Sequence, residues 1–558
     1  MTALAALASL STMVLANPIV VPEPIEKDYT IGYLEIDGAI SEKPGGDAGF
    51  FGGSEYTTLR GLVRTFEFAA SGAADVDAIV LRLRETALST ADAEELRAAI
   101  EHCEEEGVRV HVFAESYGAT ELIMASAASE IILQEGGSIF MPGVYIEEMF
   151  FADTLEWAGI DAQFVQVGDY KGASEAFVNS KPSQAWEENI SRLMDELYEA
   201  MREPIMKGRD LSERELDRAM EEAIFASGET SIEIGLIDAE MDRLELDAHL
   251  ADHYGEDFEY ELDLYVAEDT GAPDFESMGM FEVFAMFQEL MTEGVKQRTS
   301  RDTIAVVHID GAIVDGTSSS GGFTGSSNVG SLTIRETLAE LADDPNIKGV
   351  VIRIESPGGS ATASESIWQG FNALREDDIP VVASVGSMAA SGGYYIAVSA
   401  DQIHVDPSSI VGSIGVVAGK FVMADLYDKL HLRPVPRVRG PRAAMLSSVL
   451  PWDDDDIEFI RDRMVETYDL FTERVADARP DANMSKVAEG RLFAGTPAVE
   501  VGLADKVMGL EPTIDELADE LGLSQGSYDV FHYPEPPSIA ELLEEAFPAA
   551  GAPMSSSK

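Results

Sequence analysis

Ser384-Val385-Gly386-Ser387-Met388-Ala389-Ala390-Ser391-Gly392-Gly393-Tyr394-Tyr395 stands 271 positions after Phe113-Ala114-Glu115-Ser116-Tyr117-Gly118-Ala119-Thr120-Glu121-Leu122-Ile123-Met124. The same separation lays residues 76–175 over residues 347–446 without a gap, so the chain carries an internal repeat. At this offset Ser391 faces Thr120, and Lys171, in Val167-Gly168-Asp169-Tyr170-Lys171, faces Arg442. One copy keeps a serine in a glycine-flanked turn; the other keeps a lysine. That complementary loss points to one Ser/Lys site divided between two halves of a duplicated chain.

Each half opens on the same words: Ile31 to Ile40 matches Ile304 to Ile313, both ending Ile-Asp-Gly-Ala-Ile. A Gly/Ser-rich loop follows each opening, Gly45 to Ser54 and Gly316 to Ser327. Next come an amphipathic helix and a short apolar run, Ala78 to Leu81 or Gly349 to Ile352. Flanked by helical stretches such as Ala91 to Glu106, these runs read as buried strands of an α/β layer. A further strand, Val108 to Phe113 or Pro380 to Ser384, leads into the turn carrying Thr120 or Ser391. Near their ends, Phe225-Ala226-Ser227-Gly228 parallels Phe493-Ala494-Gly495.

The organisation expected is a signal peptide or membrane anchor over 1–28, a first repeat domain over 29–274 supplying the lysine, a connecting helix over 275–300, a second repeat domain over 301–533 supplying the serine, and a tail over 534–558. Thr2 to Val21 is apolar and uncharged, and Val14-Leu15-Ala16 resembles a small-residue cleavage site. Phe281 to Met291 reads as an apolar helix between the halves.

With 102 acidic against 38 basic residues, the formal charge of -64 argues against nucleic acid as a partner, because phosphates would be repelled. The acids are spread along the whole chain, which suits a surface adapted to solubility or salinity better than a site for one basic substrate. Cys103 is alone, so no intrachain disulfide forms, and its helical context predicts a partly buried structural thiol.

A serine hydroxyl becomes a nucleophile only when a base takes its proton. Ala390-Ser391-Gly392-Gly393 predicts an exposed strand-to-helix turn whose glycines admit an acyl group. Ser356-Pro357-Gly358-Gly359 forms a second glycine turn, and the amides of Gly358 or Gly359, with that of Gly392, are candidates to bind an oxyanion. The first copy has Glu85-Thr86-Ala87-Leu88 there and lacks both glycines. Histidine is a poor candidate base. His308 and His404 sit inside apolar strands and His532 lies near the tail, so all three read as structural. A lysine serves if burial keeps its amine neutral, and Lys171, just after the strand Ala162 to Val167, is the candidate.

Ser-Pro-Gly-Gly at 356–359, Ala-Ser-Gly-Gly-Tyr-Tyr at 390–395, Gly-Ser-Ile-Gly-Val at 412–416 and Gly-Asp-Tyr-Lys at 168–171 resemble the signature of the signal peptide peptidase A (protease IV) family in its long, duplicated form. The resemblance runs from about residue 30 to 530. It implies two tandem Clp/crotonase-like α/β repeats and a serine protease with a Ser/Lys dyad. Ser391 would be the nucleophile, Lys171 the general base and Ser413 a hydroxyl that orients the lysine. It also implies a membrane-associated, extracytoplasmic homo-oligomer, on the periplasmic side of an inner membrane, that degrades cleaved signal peptides and other short apolar peptides. No cofactor and no metal is implied. The competing readings are a non-catalytic peptide-binding scaffold of the same fold and a crotonase-like acyl-CoA enzyme. Retention of Ser391, Lys171 and both glycine turns disfavours the first; the export-like N-terminus disfavours the second.

Overall fold

The computed structural model describes residues 29–44, 57–267, 299–319 and 327–534. The apolar N-terminal stretch, most of both Gly/Ser loops, nearly all of the segment expected as a connecting helix and the tail from 535 onward lie outside the described residues.

In the first half, β1 (Thr30–Ala39), β2 (Ala78–Ala87), β3 (Arg109–Tyr117) and β4 (Glu130–Phe140) are joined by right-sized helical crossovers, with β5 (Asp161–Val167) projecting from this layer. Three short strands complete the half: β6 (Ile224–Ala226), β7 (Ala239–Met241) and β8 (Glu259–Glu261). The sheet runs β6-β4-β3-β2-β1-β8, with β7 beside β4, and every pairing is parallel except that of β6. Such parallel order requires both faces to be covered, which is why the strands are apolar runs and not alternating ones.

The second half repeats the plan. Its strands are β9 (Thr303–Asp310), β10 (Ala312–Val314), β11 (Asn328–Gly330), β12 (Ile347–Ser356), β13 (Val381–Ala390), β14 (Gln402–Val405), β15 (Ile410–Gly412), β16 (Val416–Val422), β17 (Leu492–Phe493), β18 (Lys506–Val507) and β19 (Asp529–Tyr533). The sheet order β17-β15-β13-β12-β9-β19 mirrors the first. Where β4 is unbroken, its counterpart is split into β14 and β15 by Asp406 to Ser409. Each sheet buries a large cluster on one face and a small one on the other. Leu81, Phe66 and Ile100 belong to the large core of the first half, and Ile352, Phe371 and Ile396 to that of the second. Full burial of each such side chain contributes roughly 1.5–3 kcal/mol.

The ungapped offset first fails within β13. β12 and β13 pair regularly from Val350↔Val381 to Ile354↔Val385, then slip so that Glu355 faces Met388. β13 thus carries two extra residues before its end. In the first half β3 ends at Tyr117 and Gly118 caps the helix Ala119–Ala125; in the second, β13 ends at Ala390 and Ser391 caps the helix Gly392–Ala397. Structurally, Ser391 corresponds to Gly118, not to Thr120.

The halves are joined through buried charge. Arg353, on β12 and fully buried, donates to Glu42 Oε1 at 2.6 Å and lies 2.8 Å from Glu95 Oε1 on the helix Thr90–Glu105. Arg60 binds Glu511 across the same seam, Nε to Oε2 at 2.5 Å. Breaking a buried pair strands the remaining charge. Arg353→Met is expected to lower stability by about 3 kcal/mol in urea unfolding; a loss within error would mean that Glu42 and Glu95 need no counter-charge.

Cys103 is more buried than expected. Its thiol donates to Phe66 O at 3.0 Å, and burial pushes it up to about 12. Of the histidines read as structural, His308 Nε2 contacts His532 Nδ1 at 2.8 Å, and His404 Nδ1 contacts Thr513 Oγ1 at 2.9 Å.

Candidate active site

Ser391 sits where β13 turns sharply into the helix Gly392–Ala397. Its φ of 53° and ψ of -115° lie outside the regions open to L-residues at low cost, a strain that persists only if its surroundings enforce it. Two contacts do so. Ser391 N–H donates to Gly412 O at 2.9 Å, and Gly358, with φ 102°, presses against the turn from the other side. A Cβ at Gly358 would meet Gly392 N at 2.7 Å and Ser391 Cβ at 2.8 Å, so only glycine fits.

The three glycine amides separate into two roles. Gly358 N–H is already turned to Ser356 Oγ, at 3.2 Å. Gly359 N–H and Gly392 N–H have no acceptor among the described hydrogen bonds, and an ideal Cβ on Gly392 would lie 3.1 Å from Gly359 N. These two amides, beside the serine and at a helix start, are placed to receive a developing negative charge. Gly358 shapes the turn.

Lys171 reaches the site from the other half. β5 pairs antiparallel with β16, from Val167↔Val416 to Asp161↔Val422, and so carries the residues after Val167 up to the segment before Val416. Lys171 Nζ donates to Ser413 O and to Ser413 Oγ, each at 2.9 Å. The side chain is 6% exposed, and burial lowers its amine to about 8. Desolvation is the cause: among the described residues no carboxylate pairs with the amine to favour its charged form. The neutral amine is therefore well populated near pH 8. Ser413, also at positive φ (53°), follows Gly412, whose carbonyl holds Ser391 N–H. One two-residue segment thus grips the serine backbone through Gly412 and the lysine amine through Ser413. Among the described hydrogen bonds none joins Nζ to Ser391 Oγ; catalytic bonds of this kind commonly tighten only around substrate.

The sequence reading missed the support beneath the lysine. Glu489 and Gly490, both at positive φ, form a turn whose Glu489 O accepts from Tyr170 N–H at 2.8 Å. A Cβ on Gly490 would lie 2.4 Å from Lys171 N. Asn189 links the two sides, its amide 3.4 Å from both Tyr170 O and Gly490 O. The only sequence signal was a Glu-Gly pair ahead of Leu492, more than three hundred positions from the lysine.

The counterpart site in the first half is closed by its own carboxylate. Gly118 N–H and Thr120 Oγ1 both donate to Glu121 Oε2, at 3.0 and 3.1 Å, and Thr86 Oγ1 donates to Glu121 Oε1 at 2.8 Å. A carboxylate already occupies the donors at this helix start, so an oxyanion has no place there. Arg442, the offset partner of Lys171, is exposed, 3.1 Å from Asp456 Oδ1 and stacked 3.9 Å over Phe459. Elsewhere Glu130, His249 and His253 bring potential ligand atoms within 4.8 Å of one another, a grouping that the sequence reading did not anticipate. Glu130 there is already hydrogen-bonded to His111 and His249, at 2.7 and 2.8 Å.

The chain is 28% identical over 429 residues to Protease 4 of Haemophilus influenzae, covering 75% of this chain and 66% of that protein. It is 28% identical over 432 residues to the chloroplastic serine protease SPPA of Arabidopsis thaliana (75% and 60%), and 26% identical over 456 residues to Protease 4 of Salmonella typhi (80% and 69%). The chain thus spans about two thirds of the length of these relatives. Among solved structures, a mutant of the 1510-N membrane-bound stomatin-specific protease matches at 16% identity and a TM-score of 0.26, over 42% of this chain and all of that one. The model of Peptidase family S49 matches residues 102–254, which hold Lys171, and residues 373–524, which hold Ser391. With more than half of its residues inside those two segments, the chain belongs to Peptidase family S49.

Proposed function

We propose that this chain is a serine endopeptidase in which Ser391 is the nucleophile, Lys171 the general base and Ser413 the hydroxyl that orients the lysine. The observation that carries this reading is the buried amine of Lys171, with no carboxylate partner among the described residues, lowered to about 8 and held on the residue next to the one that grips Ser391. Lys171 takes the hydroxyl proton as Ser391 Oγ bonds to the carbonyl carbon of a peptide. The oxyanion then accepts from Gly359 and Gly392 N–H. The C–N bond breaks as the lysine returns its proton to the leaving amine, and water, activated by the same amine, hydrolyses the ester. The first half supplies the base but performs no chemistry of its own.

Substrates on this reading are extended apolar peptides, spent signal peptides among them. The working form is a homo-oligomer at the extracytoplasmic face of a membrane. Membrane association rests on the apolar Thr2 to Val21, which lies outside the described residues; among the described residues no helix is long and apolar enough to cross a membrane. A fluorophosphonate probe followed by peptide mapping tests the assignment. It should label Ser391 and be blocked by Ser391→Ala; labelling elsewhere, or none in an intact protein, would leave the scaffold reading.

A further inference from the structure

Three of the chain's eight histidines, His111, His249 and His253, gather around one carboxylate in the first half. The helix Leu246–Tyr254 covers the smaller apolar cluster of the first sheet. Its Leu246, Leu250 and Tyr254 recur every four residues, so they form one row on the helix and join Ile31, Val80 and Ile132 in that cluster. His249 and His253 form the adjacent row, also four residues apart, with their rings 5.2 Å centre to centre. Glu130, the first residue of β4, stands beside this row, its Oε1 2.8 Å from His249 Nε2.

We propose that Glu130, His249 and His253 bind one divalent transition-metal ion, zinc by the chemistry of the donors, which clamps this helix to the start of β4. One carboxylate oxygen and two imidazole nitrogens make the donor set, and these atoms all lie within 4.8 Å of one another. Histidines at i and i+4 have the helical spacing that lets both rings reach a single ion. An ion about 2.0–2.1 Å from each donor needs Glu130 Oε1 and His249 Nε2 to part by only about 0.5 Å for a tetrahedral angle. His253 is exposed, so the fourth position opens to solvent and takes a water.

Two further features distinguish this grouping from a chance meeting of surface side chains. The first is the state of His253. Among the described residues it makes no hydrogen bond and no ion pair, and its ring only adjoins those of His111, His249 and Tyr254. Its nitrogens are therefore uncommitted beside two other imidazoles. The second is that Glu130 is held from behind. Tyr254 Oη lies 2.7 Å from Nε2 of the buried His111, and His111 Nδ1 lies 2.7 Å from Glu130 Oε2. With the phenol donating to Nε2, Nδ1–H donates to the carboxylate. This chain occupies Oε2 and turns Oε1 toward the histidine row, the kind of support that fixes a carboxylate ligand at a metal centre. The ion replaces the proton between His249 Nε2 and Glu130 Oε1, so binding releases that proton to solvent.

The test is calorimetric titration of the chelator-treated full chain with zinc chloride. It is run with excess magnesium in about 1 M sodium chloride, where diffuse attraction of cations to the acidic surface is screened. One zinc per chain should bind, and at a free concentration about 100-fold above its Kd it should raise the melting temperature by about 5 °C. Cobalt(II) in its place should show the visible absorption of a four-coordinate nitrogen–oxygen complex. His253→Ala, at an exposed position, should weaken zinc at least about 100-fold without lowering the melting temperature of the metal-free chain. Tyr254→Phe keeps the ring in the core and removes only the hydroxyl behind His111, so it should weaken zinc about 10-fold. His431→Asn, at an exposed histidine of the second half, should change nothing. Absence of a saturable zinc site would overturn the proposal. So would zinc binding or a melting shift that persists in full in His253→Ala, because the ion would then be held elsewhere on the acidic surface.

Discussion

Ser391→Ala is expected to remove peptide hydrolysis, with kcat falling by about 10⁴- to 10⁶-fold, the range seen when a nucleophile or its base is deleted from a serine protease. Lys171→Met should fall as far, because a hydroxyl without a base stays protonated, and the double variant should be little worse than either single one. Thr120→Ala and Arg442→Ala should retain activity. Thr120 Oγ1 is committed to Glu121, and Arg442 lies on the surface against Asp456 and Phe459. Single-turnover assays on one peptide would decide the matter. A Thr120→Ala variant as inactive as Ser391→Ala would show that the division of labour between the halves is wrong.

Activity should also depend steeply on pH, with the sign set by the lysine. Only the neutral amine accepts a proton, and burial has lowered Lys171 from 10.5 to about 8. As pH drops below that value the neutral fraction falls tenfold per unit, so kcat/KM at pH 5 should be about a thousandfold below its plateau. The linkage to stability runs the same way. The unfolded chain holds the lysine proton more tightly than the folded chain, so this residue adds stability as pH rises from about 8 to 10.5. Below about 8 the amine is charged in both states, and the folded state carries the full desolvation penalty. Lys171→Met should therefore be inactive yet melt no lower than the parent at pH 7. A flat pH–rate profile from 5 to 9 with the fold intact would rule out a lysine base, whereas a destabilised Lys171→Met would point to a structural role for the amine.

Much of the architecture was legible in the residue order. Buried parallel strands announce themselves as uninterrupted apolar runs such as Gly349 to Ile352, and the offset repeat turned one α/β unit into two. Glycines beside the serine marked the strand-to-helix turn at Ser391, where a Cβ on Gly392 or Gly393 would meet Ser364 Oγ at 2.5 Å or Ser356 O at 2.7 Å. The placing of His308 and His404 within strands was legible too, from the apolar residues on either side of them. The ungapped offset misled at one point: pattern alone could not see the two-residue slip in β13, which replaces Thr120 by Gly118 as the counterpart of Ser391.

What the sequence determined by itself was therefore the local part of this protein: its strands, its repeat, and which residue types could do chemistry. The tertiary structure alone decided how they meet. Lys171 and Ser413 are 242 positions apart, Asn189 and Gly490 301, Arg353 and Glu42 311. Gly358 and Gly359 look alike as letters, yet Ser356 Oγ engages one amide and leaves the other free. Periodicity and turn chemistry act over a few residues, because they arise from the backbone's own hydrogen bonds and sterics. A lysine becomes a base only when distant segments strip it of water, and that environment is a property of the packed chain.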